Sequence, residues 1–241
     1  MNAIENDRTW FDGAMVDEAV FALRPDYRAF LVLADGLVPG PSDEASEALL
    51  LSAERRITQR LEGGKPEELP EIAAWREAYR SFGAKPQRTR PSVEALVRRI
   101  DDGLPRIDRI TDTYNAISVG HLLPLGGENA DAYIGPARLV RADGTEDFEV
   151  SAAGELTVEH PEVGEVVWRD DQGVTCRRWN WRQPPRTRIT LDTTRAFFII
   201  DALLDATPGV VVDEAAQELQ TALAAFSPDA TFTTRLLGPT A

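Results

Sequence analysis

Glu165-Val166-Val167-Trp168-Arg169-Asp170-Asp171-Gln172-Gly173-Val174-Thr175-Cys176-Arg177-Arg178-Trp179-Asn180-Trp181-Arg182-Gln183 is the stretch on which the fold class turns. Two runs rich in β-branched and aromatic residues flank Asp171-Gln172-Gly173, a tight-turn signal, which predicts a hairpin pairing Glu165–Arg169 with Val174–Trp181. On a strand, Arg178, Asn180 and Arg182 project to one side and Trp179 and Trp181 to the other, leaving one apolar face and one cationic face that bears an amide. Arginine forks suit phosphates and carboxylates, and aromatic or guanidinium planes stack on bases, so the polar face fits an anionic or nucleotide ligand. The pattern equally fits tryptophans in a core with arginines in solvent. Thr187, Thr190, Thr193 and Thr194 follow closely and add hydroxyl donors.

Working outward, Ala142-Asp143-Gly144 predicts a second hairpin, Ala137–Arg141 with Asp147–Val150, and hence a mainly antiparallel sheet. Thr231–Leu237 alternates like an edge strand. Thr194–Ala206 is ambiguous: Phe197, Ile200, Leu203 and Leu204 fit a helix, Ala196–Ile200 a buried strand, and the helix is the reading taken. A further helix, capped by Asp213, carries Ala216, Leu219, Leu223 and Phe226. Upstream the spacing is helical. Ser42 caps a run of Leu49, Ala53, Ile57 and Leu61 that ends at Gly63-Gly64. A second run starts near Pro70, with Ile72, Trp75, Tyr79 and Phe82, and stops at Gly83. A third is capped by Ser92 and continues to Gly103; a fourth, capped by Asp108, reaches His121 before Pro124. Helices first and hairpins later make the fold class α+β, a mainly antiparallel sheet with flanking helices.

The chain has 241 residues, 43% hydrophobic and 27% charged. It reads as one domain, 1–241, in the composition range of globular proteins. No apolar run approaches the ~18 residues of a membrane span. Met1–Trp10 lacks the basic start and apolar run of a signal peptide, so a cytoplasmic location is expected, with no membrane partner. A single cysteine, Cys176, reads as a core residue. With only two histidines, His121 and His160, no metal and no other cofactor are expected. His121 reads as a buried helix residue bonded to backbone, and His160, beside Pro161, as part of a surface turn. The net charge of −14 opposes broad polyanion affinity, yet Arg76–Arg109 and Arg169–Arg195 hold 16 of the 26 basic residues and 8 of the 40 acidic ones. These arginines are either solvated faces or a local anion-binding surface. No nucleotide-binding loop, dinucleotide fingerprint, metalloprotease helix or nucleophile elbow is present.

Two more stretches stand out. Trp75-Arg76-Glu77-Ala78-Tyr79 runs through Phe82-Gly83 to Lys85-Pro86, an aromatic stripe that as bare pattern reads as core packing. Asp112-Thr113-Tyr114-Asn115 continues through Ser118 to Leu123-Pro124-Leu125-Gly126-Gly127-Glu128, with Asn115 and Ser118 on one helix face. In this order, together with Arg177–Arg182, the motifs resemble free-standing proteins built on the B3/B4 domain of the phenylalanyl-tRNA synthetase beta subunit, over about residues 20–226. In the synthetase that α+β domain is the editing module, which hydrolyses the ester of mischarged tRNA.

The resemblance implies aminoacyl-tRNA editing in trans, with misacylated tRNA as partner and its amino-acid moiety as ligand. It implies catalytic roles for Asn115, Glu128, Asn180 and Gln183, and substrate contacts from Ser118, Gly126, Gly127, Arg178, Trp179, Arg182 and Thr187. Under it Arg178 and Arg182 hold the terminal adenosine and phosphates, Asn115, Ser118 and Asn180 the amino-acid end, and Glu128 the ammonium group. The synthetase has a Leu-His-Ala-Phe-Asp stretch whose histidine lines its pocket. This chain has Gly126-Gly127-Glu128 there and no histidine. Trp181-Arg182-Gln183 stands where the synthetase has a substrate-contacting glutamate, so the substrate's identity is not inherited. The alternatives are a non-catalytic module binding RNA, nucleotide or amino acid, and a hydrolase of a small ester or amide.

Overall fold

The computed structural model describes residues 9–239 apart from 153. The expectation for Met1–Trp10 falls mostly outside those residues. In chain order the elements are α1 (Thr9–Asp12), β1 (Met15–Val16), α2 (Glu18–Phe21), β2 (Tyr27–Asp35), α3 (Glu44–Leu61), α4 (Pro70–Ser81), α5 (Ser92–Val97) and α6 (Arg109–His121). They continue with β3 (Leu125–Asn129), β4 (Arg138–Arg141), β5 (Phe148–Ala152), β6 (Glu155–Glu159), β7 (Val166–Arg169), β8 (Val174–Cys176), β9 (Arg195–Leu203), α7 (Gly209–Phe226) and β10 (Thr231–Leu237). The class is α+β. One sheet has the order β10-β2-β9-β3, a second β1-β4-β7-β8, and β5-β6 stand as a pair. Every ladder is antiparallel except β1 with β4.

Three features correct the sequence reading. Thr194–Ala206 contains no helix. Arg195–Leu203 is instead the strand β9, flanked by β2 and β3 and buried along its whole length. Phe197, Ile199 and Leu203 face an aromatic core shared with Trp75, Tyr79, Trp168 and Trp179. Phe198, Ile200 and Ala202 face a second core under α6 and α7, built with Ile117, Val212 and Leu219. A strand covered on both faces carries no alternation, and a continuous apolar run then mimics a helix.

The hairpin predicted between Ala137–Arg141 and Asp147–Val150 does not form. Arg138–Arg141 pairs with Val166–Arg169, while Phe148–Ala152 turns back on Glu155–Glu159. The predicted hairpin around Asp171-Gln172-Gly173 does form, but its ladder ends at Cys176. Arg178 (φ 48°) and Trp179 (φ 70°) are left-handed, so Arg177–Arg182 is a tight turn closed by Arg177 N–H on the Arg182 carbonyl, 2.9 Å. Two consecutive left-handed residues with side chains cost on the order of 1 kcal/mol each. Burial of Trp179, edge-on to Trp75 at 5.4 Å and Tyr27 at 5.0 Å, offsets that.

The helix signals hold more closely. Asp108 Oδ1 accepts from Thr111 N at 2.8 Å and caps α6 as expected. Asp43, one residue beyond the predicted Ser42, caps α3 in a reciprocal box with Ser46. Pro70 opens α4 at its first turn. Ser92 and Asp213 lie inside α5 and α7, whose caps are Pro91 and Pro208. The run from Ser92 breaks at Val97 and only a short 3-10 turn, Ile100–Asp102, precedes Gly103. β10 pairs only with β2 and is the expected edge strand. Among the described residues no helix is long and apolar enough to cross a membrane.

Candidate cleft at the open edge of the central sheet

β3 is the last strand of its sheet, and its free edge faces the Arg177–Arg182 turn and the segment after it. Between them, roofed by α5 and α6, lies a cleft of about 270 Å³. Trp168, Cys176, Trp179 and Ile199 form its inner wall, and Arg99 and Arg182 are exposed at its mouth.

Helix α6 is enclosed by two cores, Ile110 and Ile117 in one and Ala116 and Val119 in the other. Its remaining face turns Tyr114 and Asn115 into the cleft. Asn115 is 7% exposed, and no side-chain hydrogen bond ties its amide to the described residues. Its amide opens on the cleft, a space that a ligand can fill. Ser118 does not join it. One helical turn on, its hydroxyl is buried and donates to the Leu123 carbonyl at 2.6 Å, holding the left-handed exit at Leu122.

On β3, residues two apart share a face. Gly126 and Glu128 face the cleft, and Gly127 points away. A Cβ on Gly127 would lie 2.8 to 2.9 Å from Ile189, Phe198 and Tyr114, so this position is glycine because the second core closes on its backbone. Glu128 is 1% exposed. Its carboxylate accepts from Tyr133 Oη and, at 3.1 Å, from Gln183 Nε2, which also donates to the Gly127 carbonyl at 3.3 Å. Burial dominates and pushes the Glu128 pKa up to about 8, against the pull of those donors and of Arg186. At neutral pH this carboxyl is largely protonated.

The turn is pinned from outside by Glu165, which takes Arg177 in a bidentate pair at 2.8 and 2.7 Å and accepts from Arg178 N at 3.1 Å. That geometry sends Arg178 away from the cleft. Its guanidinium stacks on Trp181 at 4.3 Å and lines a separate hollow with Lys85, Arg88 and Glu165. Trp181, Arg182 and Gln183 remain on the cleft side. Asn180 also lines the cleft, but its amide is engaged: Oδ1 accepts from Tyr79 Oη at 2.9 Å and Nδ2 donates to Asp201 at 3.2 Å. Burial pushes the Asp201 pKa up to about 7, opposed by hydrogen bonds from Tyr27 and Asn180.

Of the residues singled out in the sequence, Asn115, Gly126, Glu128, Trp179, Asn180, Arg182 and Gln183 therefore line one cleft. Ser118, Gly127, Arg178 and Thr187 do not. Thr187 is fully buried, and its carbonyl receives Asn129 N–H at 2.8 Å. The alternating-face argument failed for Arg178 because the ribbon is a turn and not a strand. Sequence reasoning missed Asp201, Arg99, Tyr114 and Trp168. The signal for Asp201 was present, a lone carboxylate inside the apolar run Ala196–Leu204, but the helical reading of that run hid it. Neither histidine enters the cleft. His121 Nε2 meets Glu218 at 2.7 Å, not the backbone, and His160 contacts the Glu146 carbonyl at 3.0 Å. Burial pushes the Cys176 thiol up, so it stays protonated.

Most of the local arginine excess is neutralised within the fold. Arg76 and Arg98 meet the buried Glu94, Arg106 meets Glu47 and Glu54, and Arg186 meets Asp170. Arg99 and Arg182, at the cleft mouth, make no ion pair with any described residue.

A family model described as B3/4 domain matches residues 74–220, a range containing every residue that lines the cleft. No curated protein matches the chain. Among solved structures, it is similar to an N-terminal fragment of the phenylalanyl-tRNA synthetase beta subunit from Pyrococcus horikoshii. The TM-score is 0.45 at 15% identity, covering 93% of this chain and 50% of the other. The chain thus spans about half the length of that fragment.

Proposed function

The chain belongs to the B3/4 domain family, and on that premise we propose that it is an aminoacyl-tRNA deacylase acting in trans, hydrolysing the ester of misacylated tRNA. The observation that carries the reading is the meeting, in one cleft, of the Asn115 amide, a buried carboxyl, Glu128, and two guanidinium groups, Arg99 and Arg182, that make no ion pair with any described residue. In this reading the arginines receive phosphates of the tRNA 3′ end. Trp181, backed by Arg178, offers a ring on which the terminal adenine stacks, worth ~1–3 kcal/mol. The acyl group enters between Asn115 and the inner wall.

Hydrolysis then needs no protein nucleophile. Water attacks the ester carbonyl, and the Asn115 amide donates to the developing oxyanion, a contact worth about 10²–10³ in rate. As the bond between carbonyl carbon and ribose oxygen breaks, protonated Glu128 gives its proton to that oxygen and regains one from the attacking water. A pKa of about 8 suits a general acid near neutral pH. The purpose is fidelity, since binding alone separates small apolar side chains by only ~10–200-fold.

The test is incubation of purified protein, at catalytic concentration, with a panel of mischarged tRNAs. Hydrolysis of at least one member, slowed by Asn115→Ala, is expected, and absence of hydrolysis across the panel rejects the reading. The lack of any activated nucleophile or histidine in the cleft favours a second reading, a non-catalytic binding module. Binding without turnover, lost on Arg182→Ala, is its signature. A hydrolase of free small esters is distinguished by turnover that tRNA does not inhibit.

A further inference from the structure

Asp201 is a buried carboxylate with no counter-charge among the described residues. It lies on β9, 3% exposed, on the face that carries Phe197, Ile199 and Leu203. Tyr27 Oη donates to Oδ1 at 2.6 Å and Asn180 Nδ2 to Oδ2 at 3.2 Å, while Tyr79 Oη fixes the far side of the Asn180 amide. These donors orient the group without neutralising it, and no ion pair links it to any described residue. The titratable groups that face it, Tyr27 from β2, Tyr79 from α4 and Cys176 from β8, are all held neutral by burial. The indoles of Trp168 and Trp179 share the same stretch of wall.

A carboxylate set among aromatic rings, lacking a cation of its own and opening on a cleft, has the chemistry of an ammonium site. Glu128 differs. It already accepts from Tyr133 and Gln183, and burial holds it protonated. We propose, resting on the deacylase reading above, that Asp201 anchors the α-ammonium group of the substrate's acyl moiety, so that the cleft selects acyl groups bearing a free amine. Asp201 is thereby a substrate-binding residue, with Tyr27, Asn180 and Tyr79 as its positioning shell. Glu128, to which the resemblance assigns the ammonium, is left for the ester end.

Calorimetric titration with non-hydrolysable 3′-aminoacylamido-3′-deoxyadenosines of several apolar amino acids, and with their N-acetyl counterparts, tests this at pH 7.5. The expected result is that at least one free-amine ligand binds and that acetylation weakens it ~10–100-fold, the range for losing a hydrogen bond to a charged group. Asp201→Asn removes that preference, leaving the N-acetyl ligand unchanged, whereas Glu128→Gln keeps it. Equal binding of the two ligand forms, or a preference that survives Asp201→Asn but not Glu128→Gln, overturns the assignment while leaving the deacylase reading standing. Failure of every ligand to bind overturns both. Should Asp201→Asn not fold, as judged by circular dichroism, the wild-type ligand pair and Glu128→Gln still decide.

Discussion

Asn115 and Glu128 separate catalysis from stability at the level of single side chains. Because no side-chain hydrogen bond ties the Asn115 amide to any described residue, Asn115→Ala is expected to lower single-turnover deacylation about 10²–10³-fold with little change in melting temperature. Glu128 couples the two. Burial raises its pKa from 4.5 to about 8, and that of Asp201 from 3.8 to about 7. Between the unfolded and folded values the native state binds more protons than the unfolded chain. Stability therefore falls as pH rises from about 4 to 8, by up to ~1.4 kcal/mol per pH unit for each group, and levels off above. Thermal melts across pH 5–9 are expected to show that decline, and Glu128→Gln to flatten its upper part between pH 7 and 8. A stability maximum at pH 8 contradicts the buried, neutral carboxyl.

The turn Arg177–Arg182 and strand β3 show why elements, more than residues, set the site. Helices α3, α4 and α6 were legible because caps and four-residue apolar spacing are local signals. The β7–β8 hairpin was legible from its turn. What escaped was long-range pairing: β4 finds β7 rather than its neighbour in sequence, and β9 hides its strand period by being buried on both faces. The cleft was half legible, in Asn115, Glu128 and Arg182, because the motifs carrying them could be recognised before their pairing was known. Arg178 was misplaced because nothing local announced two left-handed residues. Breaking the clamp on that turn with Glu165→Ala leaves the buried Arg177 with only its 3.3 Å contact to the exposed Glu159 and is expected to destabilise the fold by ~1–3 kcal/mol in urea titration. Neighbouring glycines part company in the same way. Gly127→Ala forces a Cβ against three core side chains and is expected to cost ~1–3 kcal/mol, whereas Gly126→Ala meets only the end of the Gln183 amide at 3.1 Å and is expected to impair kcat more than stability.

Across the whole molecule, a net charge of −14 surrounds a mouth whose two arginines make no ion pair with any described residue. On the proposed function a polyanion is held at this mouth by short-range contacts that salt weakens, and the acyl group it carries meets Asn115 on α6 against the wall formed by the Trp179 turn. The most direct measurement is a crystal structure with a bound non-hydrolysable 3′-aminoacylamido-3′-deoxyadenosine. The account predicts the acyl carbonyl oxygen within hydrogen-bond reach of the Asn115 amide, with the adenosine against Trp181 and Arg182. A ligand seated outside this cleft, or an acyl group that turns its carbonyl away from Asn115, contradicts it.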